Sequence, residues 1–215
     1  IFDGLISFGG LCYTTNPVGT ATGDLVLFVA KFNSTGQCEW VSIAYNSNGD
    51  IPIDYHYPSH LSSISIDSSS NIYISSNCEC DGNHNLVFGN ISIDPNSGPT
   101  GEASILAKLD NNGEWIWVID LGELGGPNNV EIDLNGDIWA SYDYLLRKYN
   151  ASGSLQLTKN YGINTLIYDL TSDSFGNMYV VGGFTGTSGE LGVNTNSWDL
   201  FVHKLDSNGN QIWLS

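Results

Sequence analysis

Three groupings of residues in this chain have types and spacings that chemistry could use. The first is Asp-x-Asn-Gly, at residues 110–113 and 206–209, with a related stretch at 133–136. Asp110, Asn112, Asp206 and Asn208 offer the oxygens a hard cation prefers, which makes them weak calcium candidates. A calcium loop needs several converging oxygens and an acidic residue that closes the shell, and no distal Glu follows here. Turn chemistry is the expectation: an Asx side chain caps its own turn and glycine takes the positive-φ position. The second grouping is Cys78-x-Cys80 with His84, two thiols and an imidazole that could face zinc. The spacing is tighter than C-x-x-C and no second cluster accompanies it, so oxidised cysteines are expected instead. Cys12, Cys38, Cys78 and Cys80 fit one or two disulfides in three possible connectivities, with Cys12 and Cys38 paired within one repeat. The third is the set of six tryptophans, whose rings could stack on sugars. Trp40, Trp117, Trp139 and Trp213 occupy aligned repeat positions and are expected in the core with Tyr73 and Tyr179. Trp198 lies outside the repeat and is the better ligand candidate.

Catalytic signatures are missing. There is no Gly-x-Ser-x-Gly, no Gly-rich phosphate loop before a helix and no His-Glu-x-x-His. His56, His60, His84 and His203 are scattered, and His203 is expected to alternate with a buried Val202. Acidic residues are plentiful, yet none is nominated as half of a glycosidase dyad. No catalytic residue, cofactor or required metal is therefore predicted. Asn33, Asn90 and Asn150 are N-glycosylation acceptors, and Asn33 and Asn150 stand where Asp110 and Asp206 stand in sister copies.

Two recurring elements position these residues. Lys31, Lys108, Lys148 and Lys204 align; five residues later come Gly36, Gly113, Gly153 and Gly209, and four beyond these Trp40, Trp117, Leu157 and Trp213. Alternating apolar residues on both sides of an Asx-x-x-Gly turn predict an antiparallel hairpin. Between the hairpins, Asp67, Asp133 and Asp173 each precede an aromatic residue by six positions, Tyr73, Trp139 and Tyr179. The two elements together supply four strands per unit with no amphipathic helix between. The prediction is an all-β β-propeller of four-stranded antiparallel blades. Its blades are residues 1–61 (incomplete, without its innermost strand), 62–127 (with a long insertion at 77–103), 128–165 and 166–215. The missing strand points to a longer array, with a compact four-bladed ring as the alternative.

The formal charge is −17 over 215 residues and Arg147 is the one arginine. A nucleic-acid binder needs a basic face, and an anionic leaflet would repel this chain. Charged residues make up 13% of the chain, so Asn, Ser, Thr and Gly must supply its polar surface, as suits an extracellular protein. No apolar run approaches membrane-spanning length.

On these residues the chain resembles the bacterial and archaeal seven-bladed β-propeller repeat family. That family's pattern runs Asp-x-x-Gly-Asn-x-Tyr-Val-x-Gly-x-Phe, a Phe-Gly turn, then Asp-x-Phe-Val-x-Lys-x-Asp-x-x-Gly-x-x-x-Trp. Asp173, Gly176, Asn177, Tyr179, Val180, Gly182 and Phe184 match the first part; Asp199, Phe201, Val202, Lys204, Asp206, Gly209 and Trp213 match the second. Phe8-Gly9 and Phe88-Gly89 resemble the internal turn, which the blade holding Trp139 has lost, making that blade similar to an NHL repeat. The resemblance implies a secreted or surface-exposed scaffold acting in structure, adhesion or assembly through protein or glycan contacts, including self-assembly by strand addition. The alternative is an extracellular propeller enzyme of glycoside-processing or lyase type.

Overall fold

The computed structural model describes residues 5–8, 12–15, 27–46, 63–79, 85–94, 102–122 and 127–215. Its strands are β1 (Leu5–Phe8), β2 (Cys12–Thr15), β3 (Leu27–Phe32), β4 (Cys38–Asn46), β5 (Ser63–Ile66), β6 (Ile72–Glu79), β7 (Leu86–Phe88), β8 (Ile91–Ile93) and β9 (Glu102–Leu109). They continue with β10 (Trp115–Asp120), β11 (Pro127–Ile132), β12 (Ile138–Tyr142), β13 (Leu145–Tyr149), β14 (Leu155–Asn160), β15 (Thr165–Ser172), β16 (Met178–Ser188), β17 (Val193–Leu205) and β18 (Gln211–Leu214). Four sheets of four strands follow the orders β3-β4-β7-β8, β10-β9-β6-β5, β11-β12-β13-β14 and β15-β16-β17-β18; β1 and β2 form a separate hairpin. The fold is all-β, of β-propeller type.

The four aligned hairpins close alike. In each, the Asx backbone N–H donates across the turn and the Asx carbonyl accepts from the glycine N–H, as in Asn33 N to Gln37 O at 2.8 Å and Gly36 N to Asn33 O at 2.9 Å. Gly36, Gly113, Gly153 and Gly209 sit at φ of 78° to 84°, which an L side chain adopts only with strain. A register shift falls at the same place in every copy, beside Phe32, Trp115, Tyr149 and Leu205. Such a bulge at the hairpin mouth twists both strands.

The segment 77–103 differs from its expected role. It is not merely an insertion in the second blade: β7 pairs with β4, Ala44 opposite Phe88 and Asn46 opposite Leu86, and β8 adds beyond it. The first sheet thus gains two strands from later in the chain. Burial drives the pairing, since Leu86 and Phe88 pack with Ala44 and Ile105 in one core, edged by Trp115 and Val118.

The chain divides into two compact units, residues 1–59, 70–72 and 77–123, and residues 60–69, 73–76 and 124–215. The core just described belongs to the first. In the second, Trp139, Leu146, Tyr161, Met178, Val180, Phe201 and Leu205 join one cluster between the third and fourth sheets.

The predicted strand phase of β17 is reversed. His203 is buried and Val202 is 37% exposed, because Phe201, His203 and Leu205 point into this cluster while Val202 and Lys204 take the opposite face. Of the repeat aromatics, Tyr73 and Trp139 are fully buried, whereas Trp40, Trp117 and Tyr179 are half-buried. Trp213 departs from the expected core position at 40% exposure. It stands on edge strand β18, on the outward face of the last sheet, and its ring meets Tyr179 edge-on at 6.0 Å.

Candidate functional site

The repeat residues are consumed by structure. Trp139 donates its indole N–H to Asp133 at 3.0 Å, and Lys148 lies 3.6 Å from the same carboxylate oxygen. In the next sheet Tyr179 donates to Asp173 at 3.2 Å while Lys204 reaches Asp173 at 3.2 Å and the Tyr179 hydroxyl at 2.6 Å. Across the strands Trp139, Lys148 and Leu157 form one row, and Tyr179, Lys204 and Trp213 the equivalent one. Each Asp thus ties its own turn to the two strands that follow. Asn177, through its side-chain amide first and then its backbone, holds the Asp173 carboxyl well below the usual carboxylate range.

The calcium candidates are occupied in the same way. Asp110 Oδ1 accepts from the backbone of Asn112 at 2.8 Å and Glu114 at 2.9 Å, and the Glu114 hydrogen bond is the main cause of its lowered pKa. Asp206 accepts from Asn208 and Asn210, and the Asn210 side chain does most to lower its pKa. The amides of Asn112 and Asn210 donate to these carboxylates rather than presenting oxygen. Among the described residues no three His, Cys, Asp or Glu side chains gather as a metal site. His84, and the side chains of Cys12, Cys78 and Cys80, lie outside the described residues; Cys38 is buried. Asn33 and Asn150 cap their turns through Oδ1, and Asn90 lies exposed in the β7–β8 turn.

What stands apart is the far end of the fourth sheet. β16 and β17 run 11 and 13 residues, against 5 each for β12 and β13 in the third sheet. Two consecutive glycines open this end to both faces. A Cβ on Gly182 would meet the Leu166 carbonyl at 2.3 Å and the Phe201 ring at 2.6 Å; one on Gly183 would meet Trp198 Nε1 at 2.5 Å and the Tyr168 hydroxyl at 2.7 Å. The first gap seats a core ring, and the second lets the Trp198 indole lie against the outer face. Trp198 donates to the Tyr168 hydroxyl at 3.1 Å, and Asn129 donates to the Tyr168 carbonyl at 2.8 Å. With Trp198 48% and Tyr168 46% exposed, two aromatic side chains are held in place while half their surface faces solvent. Leu166 and Leu200 pair with Gly183 from either side and extend this apolar face.

An open cleft of about 360 Å³ occupies the same extension, lined in part by Phe184, Val193, Asn194, Thr195, Asp199 and Phe201. Thr195 donates to the Asp199 carboxylate at 2.5 Å. Trp198 and Tyr168, with Leu166 and Leu200, make an aromatic and aliphatic platform on the outer face, while Asp199 alternates with Leu200 onto the face that carries Phe201. The platform suits a ligand with an apolar face, such as the C–H face of a sugar ring. Trp198 was singled out from sequence; Tyr168, Gly183 and Asp199 were not. The paired glycines inside an otherwise apolar strand were the available signal.

No family model and no curated protein matches the chain. Among solved structures, a gluconolactonase candidate is 13% identical with a TM-score of 0.42, covering 85% of this chain and 61% of its own. A protein of unknown function from Bacteroides caccae is 11% identical with a TM-score of 0.33, covering 87% of this chain and 92% of its own. An ulvan lyase of a polysaccharide lyase family, bound to a GlcA(1-4)Rha3S fragment, is 12% identical with a TM-score of 0.43, covering 92% of this chain and 54% of its own. The chain spans 61% and 54% of the length of the first and third of these. The sheets place the chain in the β-propeller fold class, and the finer resemblance to seven-bladed and NHL repeats is matched by no family model.

Proposed function

We propose that this chain is a scaffold module of an extracellular or surface-exposed protein, contacting glycan partners through the Trp198–Tyr168 platform. The observation that carries the reading is the hydrogen bond between two half-exposed aromatic side chains over Gly183. An indole so held loses little side-chain freedom when a ligand stacks on it, so more of the contact energy appears as affinity. Stacking on the C–H face of a sugar needs no positive charge, in keeping with a chain of net charge −17. In this reading the chain acts by binding, needs no cofactor, and carries disulfides and glycans suited to an oxidising compartment.

The second reading, a glycoside-processing or lyase-type enzyme, draws on Asp199 at the cleft. Hydrolysis by the common routes uses two carboxyl groups, and among the described residues Asp199 is the one carboxylate side chain of the cleft lining. Oligosaccharides that bind the native chain are incubated with it and their reducing ends counted. Binding that Trp198→Ala abolishes, with no new reducing ends, supports the scaffold. Turnover lost in Asp199→Asn favours the enzyme and overturns it. Peptide maps of native material are expected to show Cys12 and Cys38 joined until reduction; unchanged masses would remove the disulfide and weaken the extracellular placement.

A further inference from the structure

The third sheet has two faces of different character. Trp139 and Leu146 point into the cluster that this sheet shares with the fourth. On the opposite face, register sets Ala140 of β12 beside Arg147 of β13, with Tyr142 two positions along one strand and Tyr149 two positions along the other. Tyr142 and Tyr149 are closed off from solvent, at 1% and 3% exposure, and Arg147 is half-buried. The residue directly opposite Arg147 is thus an alanine, the smallest side chain these two strands place on this face.

Three polar groups of this face lack acceptors. Among the described residues, nothing bonds to the hydroxyl of Tyr142, to the hydroxyl of Tyr149 or to the buried Nε–H of Arg147. Arg147 is the one arginine in a chain with 23 Asp and Glu residues, yet no described carboxylate pairs with it. The guanidinium instead lies with Cζ 5.9 Å from the centroid of the Tyr142 ring. The three groups act on one another. Burial first, and then the neighbouring Tyr149 hydroxyl, push the Tyr142 phenol well above the ordinary 10, while Arg147 draws it partly back. The phenol therefore keeps its proton, and a guanidinium keeps its charge at any working pH, so this face presents donors. A buried donor left unpaired costs more than an average hydrogen bond contributes, and an unpaired buried charge costs more again.

We propose that Arg147, Tyr142 and Tyr149 form a binding site for one small carboxylate anion. The Nε–H and an Nη–H lie parallel on one edge of the guanidinium, which matches the two oxygens of a carboxylate, and the two phenols donate to its remaining lone pairs. The burial of both tyrosines restricts the ligand to a compact organic acid. A polyanion is disfavoured by the net charge of −17, which repels it long before short-range hydrogen bonds can form. The site is on β12 and β13 and shares no residue with the Trp198–Tyr168 platform, so either can fail without the other.

The test is calorimetric titration of the native chain with sodium acetate in a zwitterionic buffer, against sodium chloride at matched ionic strength, with thermal midpoints recorded in both salts. Expected is one saturable acetate site, lost in Arg147→Gln and weakened at least about tenfold in Tyr142→Phe and in Tyr149→Phe, the worth of one hydrogen bond to a charged group. In chloride both Phe variants should melt at or above the native midpoint, because each removes an unsatisfied hydroxyl and keeps the ring. In acetate they should melt below it, since the native chain gains more from the bound anion. Acetate that gives no saturable heat beyond chloride overturns the proposal, as does unchanged acetate binding in Arg147→Gln. Phe variants that melt below the native chain in chloride overturn it too, because the hydroxyls would then be spending their hydrogen bonds within the chain. The Phe variants preserve the buried rings and keep the test decisive even where Arg147→Gln fails to fold.

Discussion

The third and fourth sheets have the same framework and opposite ends. Both carry the Asp, aromatic, Lys and bulky apolar row, with Lys148 5.3 Å from the Trp139 ring centroid and Lys204 4.7 Å from that of Tyr179. In the third sheet β12 and β13 meet at a tight turn after Tyr142, with Asp143 at φ 44°, and every residue of β12 is buried. In the fourth, the same two strands run on past the framework and carry Trp198 and the cleft, with Tyr168 of β15 hydrogen-bonded to that indole. The row recurs because each sheet must tie its turn to its central strands; the extension is bound by no such need. Framework residues should therefore report on stability, and extension residues on binding.

The largest expected effect lies in the framework. Trp139→Ala should cost about 3 to 5 kcal/mol, the usual toll for emptying a buried aromatic site, whereas Trp213→Ala, 40% exposed, should cost less than half as much. Trp117→Ala should fall between, since Trp117 is only half-buried. Urea midpoints of the three variants check the order, and equal losses would mean that the aligned positions are energetically alike despite their burial.

A smaller contrast separates the adjacent glycines. Gly182→Ala drives a Cβ into the Leu166 backbone and should cost about 1 to 3 kcal/mol, the range for overpacking. Gly183→Ala pushes only on the Trp198 and Tyr168 side chains at the surface. It should leave the thermal midpoint nearly unchanged while altering Trp198 fluorescence; a midpoint drop matching that of Gly182→Ala would show that the platform is part of the framework.

Acid should divide the molecule in the same sense. His203 is buried with Nδ1 3.0 Å from the Tyr161 hydroxyl, and burial first, then the charge of Lys159, holds its pKa below the ordinary 6.5. As pH falls through 6.5 the unfolded chain takes up this proton before the folded one, so stability declines there and is unaffected at higher pH. The lowered carboxyls of Asp110, Asp173 and Asp206 act later. Their stabilisation is present above the ordinary 3.8 and is lost as pH drops through their folded values. Thermal midpoints of His203→Gln should be flat through the first window and still fall in the second. A native-like first decline in that variant would assign the decline to another group.

The framework was readable because its spacing is invariant: Lys204, Gly209 and Trp213 copy Lys31, Gly36 and Trp40, and alternation with a turn glycine permits little but a hairpin. The phase of β17 was not readable. Leu200, Phe201, Val202 and His203 give no apolar-polar alternation, so only the packing of Phe201 and Leu205 against the third sheet decides which side turns inward. The strands β7 and β8 escaped notice for another reason, being three residues each and completing a sheet begun by β3 and β4 far earlier in the chain, with Leu86 opposite Asn46. At the site, Trp198 stood out by lying off the repeat, while Tyr168 reaches it only through register, 30 residues away in sequence.

The most direct test of the division between framework and extension is a glycan array probed with the native chain and with Trp198→Ala. The expected result is a defined set of glycans bound by the native chain and lost in the variant, with thermal midpoints that agree closely. An empty array for the native chain, or the same profile from both, would contradict the assignment of Trp198 and Tyr168 as the binding platform.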